Sequence, residues 1–122
     1  MTYSDHGEPL LDWSVAQETV QGDIALLRQV VTSITNEVPL LLEAIQKAVV
    51  ARDAKSLQIS AHTLKSSLRY LGALKQANFA SDLETMGRDA CLDKAPQVVA
   101  KLLPLTQATL MELQRFLAAE DR

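Results

Sequence analysis

Cysteine is almost absent from this 122-residue chain: Cys91 stands alone. One thiol excludes a disulfide framework and a cysteine metal cluster, and points to a reducing, cytoplasmic setting. Aromatic residues make up only 4%, and four glycines and four prolines leave little material for a turn-rich all-β fold. A basic excess is missing too. Twelve Lys and Arg face fifteen Asp and Glu, a net charge of −3, with the signs mixed along the sequence. That argues against a nucleic-acid binder, which normally carries a basic patch. No apolar run reaches 18 residues, so no membrane-spanning helix is expected. The first residues, MTYSDHGEP, lack the basic and apolar regions of a signal peptide.

What is present is aliphatic. Hydrophobic residues form 48% of the chain, mostly Leu, Ala, Val and Ile, a composition suited to helices packed on helices. One domain is expected from the length. Residues 1–10 are polar, hold Gly7 and Pro9, and read as a flexible tail or linker stub, with the folded domain over 11–122. Leu11 to Val20 can form a short helix, with Trp13 and Val20 docking onto the rest. Asp23 follows Gly22 as a helix N-cap. Leu27, Val31, Ile34, Val38, Leu41, Ile45 and Ala48 then repeat every three or four residues. Pro39 interrupts this series, at a cost of about 3 kcal/mol inside a helix. Because the apolar phase does not slip across it, one helix over 23–51, kinked near Asn36, is expected. The competing reading breaks the helix at 36–38 and puts Pro39 in a new first turn.

Asp53 caps the next predicted helix, 54–71, and Gly72 ends it. A helix over 74–89 should carry Phe79, Leu83, Met86 and Ala90 on its core seam, and Asp93 can cap a last helix over 94–118, whose apolar positions include Val99, Leu102, Leu110, Leu113 and Leu117 and which is expected to kink at Pro104. Cys91 reads as a half-buried small hydrophobe. Short connections force antiparallel neighbours. The predicted architecture is therefore all-α, an antiparallel up-down four-helix bundle with a short extra N-terminal helix.

The helix over 54–71 leaves one residue type conspicuously outside its seam. Leu57, Ala61, Leu64, Leu68 and Leu71 define the buried stripe. At 100° per residue, His62 points roughly 140° away from its middle, with Lys65, Ser66 and Arg69 within roughly 60° of His62. An imidazole on a rigid exposed face beside two cations suits the transient carrying of an anion such as a phosphoryl group. Glu84, Arg88, Ser81 and Ala77 share a stripe of the following helix, off its seam. In a hairpin turning at Gly72, residue 62 lies ten before the turn and residue 84 twelve after it, so the two come to similar height. A carboxylate holding Nδ1–H would leave Nε2 as the nucleophile.

The segment AHTLKSSLRYLGA, residues 61–73, resembles the signature of histidine-containing phosphotransfer (HPt) domains, H-x-x-K-(small)-S-x-x-x-x-G-A. LDWS, GDIALLR, EVPLLLEAI, ARDA and DLETMGR also fall where that family has similar residues, so the resemblance spans about 11–118. Ser66 departs from it, standing where the family most often has Gly. The resemblance implies that His62 takes a phosphoryl group from a receiver-domain aspartate and passes it to another. Lys65 would stabilise charge on the transferring oxygens. Glu84, 22 residues after the histidine, matches the Glu or Gln that bonds the ring, and Arg88, 26 after it, matches a basic residue near the phosphoryl group. Arg69, Arg88 and, farther off, Lys55 widen the positive field, while Ile59 and Tyr70 border the histidine as apolar docking surface. The implied partners are response-regulator receiver domains and a sensor or hybrid histidine kinase, with the module itself a cytoplasmic monomer, free or attached to such a kinase. No cofactor is expected, Mg²⁺ belonging to the receiver. Nothing resembles a Gly-rich phosphate loop, so autonomous kinase activity is not expected. The alternative is a catalytically silent receiver-docking module of the same fold. A metal site is disfavoured, since His62 and Glu84 alone supply too few ligands.

Overall fold

Five helices account for nearly all of residues 9–120, the part of the chain described by this computed structural model: α1 (Trp13–Thr19), α2 (Ile24–Ala51), α3 (Ala54–Tyr70), α4 (Leu74–Arg88) and α5 (Ala95–Glu120). Among the described residues there is no β-strand. Helix α3 packs on α2 and α4, and α5 closes the square against α2 and α4, while the backbones of the diagonal pairs α2–α4 and α3–α5 stay apart. Short α1 lies on α2 and α3. This is the expected up-down four-helix bundle with its extra N-terminal helix.

Helices α1, α2 and α3 start at aspartate caps. Asp12, Asp23 and Asp53 each accept a hydrogen bond from a backbone amide of the turn that follows, at Ser14, Leu26 and Ser56 respectively. The Asp53 carboxyl is held below its ordinary range, first by the Ser56 amide and then by the Ser56 hydroxyl. Asp93 does not serve α5 in this way. Its carboxylate meets Arg52 Nη2 at 2.7 Å, linking the α2–α3 turn to the segment before α5. Helix α1 is shorter than the span read from sequence, because the chain before Trp13 is extended and Asp12 takes the cap position.

Pro39 sits inside an unbroken α2, so the one-helix reading holds over the two-helix one. The core is a single aliphatic cluster in which Leu27, Val31, Leu57, Ala61, Leu64, Leu83, Leu102 and Leu113 are fully enclosed. Burying each leucine side chain contributes about 2 kcal/mol. Beyond Pro39 the buried position is Leu42, and Leu41 lies only half inside. Corrections fall on α4 and on the residues just beyond its end. Ala77, Ala80 and Gly87 are buried with Leu83, whereas Phe79 and Met86 only flank the core and Ala90 is exposed. A stripe of small residues fits because α4 lies close against α3. Cys91 is exposed, since the chain turns out of the bundle at Ala90, where φ is 55°.

Leu10, placed in the tail by its polar neighbours, is buried. Its carbonyl accepts a bond of 2.9 Å from Gln76 Nε2, and the same amide donates to Thr109 Oγ1 at 2.8 Å. Asp12 N–H donates to Leu71 O at 2.8 Å, which lays the N-terminal segment across the α3–α4 turn. Gly72 makes this approach possible. It has φ +68°, and a Cβ there would stand 2.7 Å from Asp12 Cβ. The remainder of the predicted tail, residues 1–8, lies outside the described residues.

Candidate functional site

Helix α3 carries His62 on the face opposite its leucine stripe. Leu57, Ala61, Leu64 and Leu68 are buried, while the His62 side chain is 59% exposed. Gly72 turns the chain back so that α4 runs antiparallel beside α3. Glu84 then arrives level with His62, and its Oε2 lies 2.7 Å from His62 Nδ1. With the carboxylate ionised and the ring neutral, Nδ1 donates and Nε2 is the nitrogen left with a lone pair.

Glu84 holds a second partner. Lys65 Nζ donates to Glu84 Oε1 at 2.5 Å. One carboxylate thus uses separate oxygens to orient the imidazole and to bind the ammonium one turn along α3. The two interactions differ in exposure. Lys65 and Glu84 side chains are 15% and 18% exposed, so this ion pair is sheltered beside a wet ring. The Glu84 carboxyl is pulled below its ordinary range, chiefly by the Lys65 hydrogen bond. Partial burial opposes this, and His62 adds a further lowering. Both contacts favour the ionised carboxylate, the form that accepts from Nδ1–H.

A shallow groove runs along the ring, lined by Lys55, Gln58, Ile59, His62, Thr63 and Glu84. Ile59 is 56% exposed beside the ring, and Lys55 is exposed at the groove's far end. Gln58 and Thr63 were not singled out from sequence. Gln58 is four residues before His62, a spacing that places two side chains on one helix face, and that was the available signal.

The other named residues lie elsewhere. Ser66 is exposed, but its hydroxyl donates to the His62 carbonyl at 3.3 Å and so is turned back on its own helix. Ser66 and Tyr70 line a second groove, between α2 and α3, with Val30, Ser33, Ile34, Glu37 and Ser67. The Tyr70 hydroxyl is buried without a hydrogen-bond partner, and burial raises its pKa. Arg69 is exposed in the last turn of α3, seven residues and about 10 Å along the axis from His62. Arg88 is exposed and faces Asp89 at 3.5 Å. Neither arginine lines the histidine groove. Among the described residues no group of three or more His, Cys, Asp or Glu side chains is placed to hold a metal ion.

Among the described residues, then, a helical bundle presents one outward histidine, hydrogen-bonded to a carboxylate of the adjacent helix. The family model for the Hpt domain matches residues 18–120, and the chain belongs to that family. It is a histidine phosphotransfer intermediate of a phosphorelay. Its fold is similar to that of histidine-containing phosphotransfer protein B (HptB) from Pseudomonas aeruginosa PAO1, with a TM-score of 0.82 at 20% sequence identity, over 91% of this chain and 96% of that one. No curated protein matches the chain. No helix among the described residues is long and apolar enough to cross a membrane.

Proposed function

We propose that His62 is the phosphoryl-carrying residue, that Glu84 sets its tautomer, and that Lys65 both anchors Glu84 and meets the charge of the arriving group. The 2.7 Å contact between Nδ1 and Glu84 carries this reading. The Nε2 lone pair attacks the phosphorus of an aspartyl phosphate on a receiver domain. The new N–P bond forms as the P–O bond to the aspartate breaks, and that carboxylate leaves with the electron pair. The ring, still protonated at Nδ1, becomes a cation, and the Glu84 carboxylate lies beside it to balance the charge. Transfer onward reverses these steps. Lys65 spends one N–H on Glu84 and keeps two for phosphoryl oxygens.

Ile59 and Lys55, exposed along the ring, supply an apolar contact and a positive charge suited to the rim of an acidic receiver pocket. Arg69 and Arg88 contribute long-range attraction rather than contact. We place Mg²⁺ on the receiver, and we read the module as a monomeric carrier without kinase activity of its own, acting between receiver domains and a sensor or hybrid histidine kinase.

Incubation with a phosphorylated receiver domain tests the assignment. The chain should acquire an acid-labile, alkali-stable phosphoryl group, and His62→Gln should acquire none. Label retained in His62→Gln would refute the site. Receiver binding without any label on the wild-type chain would establish the silent docking module instead.

A further inference from the structure

We infer that Gly87 is a positioning residue for phosphotransfer: its lack of a side chain sets the α3–α4 separation at which Glu84 reaches His62. The inference rests on the proposed role of the His62–Glu84 pair and extends it to a residue that touches neither the ring nor the phosphoryl group.

Gly87 lies in α4, three residues after Glu84, and is buried. A Cβ at this position would stand 2.6 Å from the Gln58 amide nitrogen, 2.7 Å from the Ala54 carbonyl oxygen and 2.9 Å from Gln58 Cα. These atoms are main chain, so no side-chain rotation can clear the space. They belong to the two turns of α3 that precede His62. The antiparallel register is therefore continuous: Gly87 meets Gln58 one turn from the level at which Glu84 meets His62. The glycine has no backbone reason to be there. It is helical, it is not among the positive-φ residues, and alanine is the better helix former. Its use lies in close approach.

The consequence for the site is a matter of reach. Ordinary van der Waals contact for a Cβ requires about 3.5 Å, so a methyl group at 87 pushes the helices apart locally by nearly 1 Å. A 2.7 Å hydrogen bond one turn away stretches beyond useful length under such a shift. Glu84 then no longer selects the tautomer, and the nucleophilic lone pair is no longer confined to Nε2.

The experiment is Gly87→Ala, read by long-range ¹H–¹⁵N NMR of the His62 ring in the free, unphosphorylated chain above the ring's titration, with His62→Gln giving the assignment. The wild-type ring should show Nδ1 protonated and Nε2 bare. Gly87→Ala should show averaged tautomers, with transfer from a phosphorylated receiver slowed on the order of tenfold to a hundredfold. Val99→Ala, which disturbs core packing in α5 away from the α3–α4 seam, should lower the melting temperature and leave the tautomer intact. Glu84→Asp, which withdraws the carboxylate by one methylene while Gly87 stays, should reproduce the averaged ring even where Gly87→Ala fails to fold. A single Nδ1–H tautomer in a folded Gly87→Ala, or in Glu84→Asp, overturns the inference. An altered tautomer with an unchanged transfer rate confirms the spacing role of Gly87 and removes instead the proposed role of the Glu84 contact.

Discussion

Glu84 is the residue on which the site turns, because one carboxylate satisfies two cationic or donating neighbours at once. Its depressed pKa has a consequence for stability with a definite sign. A carboxyl whose folded value lies below its unfolded value stabilises the fold above the unfolded value, and loses that contribution as pH falls through the folded one. Glu84→Gln should therefore be less stable than the wild type at pH 6, and the difference should shrink as pH drops below the ordinary glutamate value of 4.5. Urea unfolding of both proteins between pH 6 and pH 3 measures it. A difference that stays constant across this range would show that the Lys65–Glu84 pair does not titrate with the fold. Lys65→Ala should slow phosphotransfer on the order of tenfold to a hundredfold while circular dichroism stays helical, since it removes both the anchor of Glu84 and a donor to the phosphoryl oxygens. Stopped-flow transfer from a phosphorylated receiver is the readout, and an unchanged rate would remove Lys65 from the mechanism.

Helices α3 and α4 form the rigid pair that carries the site, and the others hold that pair in place. The imidazole stands out because α3 is anchored by Leu57, Leu64 and Leu68 on its opposite face. Helix α2 bears a local conflict that packing overrides. Pro39 leaves the Thr35 carbonyl without its usual amide donor, yet the apolar stripe from Leu27 to Ala48 keeps the helix whole. Pro39 is exposed, so its replacement costs no core contact. Pro39→Ala should raise stability by roughly 1–3 kcal/mol, read by denaturant unfolding, and leave phosphotransfer unchanged. A loss of stability would mean that the proline sets a bend the bundle needs.

The molecule as a whole is closed at the turn end by polar groups as well as apolar ones. Gln76, Thr109 and the Leu10 carbonyl form a buried knot between the N-terminal segment, α4 and α5. At the same end Trp13 of α1 stacks on Phe116 of α5, ring centroids 4.6 Å apart. Gln76→Ala removes both amide bonds and opens a void, so a loss of about 1–3 kcal/mol is expected. Amide exchange at Asp12, which donates to Leu71, should accelerate as the segment loosens. Since the knot is at the turn and the ring faces outward near mid-helix, the His62–Glu84 contact should survive this change. Loss of that contact in Gln76→Ala would show that the N-terminal segment supports the site.

Periodicity and punctuation made most of the fold legible. Leucines every three or four residues dictate the buried face of α3, and Asp23, Asp53 and Gly72 mark helix ends through bonds and backbone angles that depend on neighbours close in the chain. The outward histidine followed from the same periodicity, and its pairing with Glu84 followed from counting residues around a short turn. Long-range packing decided the rest. The burial of Leu10 and Gln76 depends on α5, some thirty or more residues further along, so no local pattern announces it. Leu42 replaces Leu41 in the core because neighbouring helices set the rotation of α2 beyond Pro39. The small-residue face of α4, with Gly87 against the α3 backbone, expresses the distance between two helices, and distance is a property of the pair that neither helix carries in its own sequence.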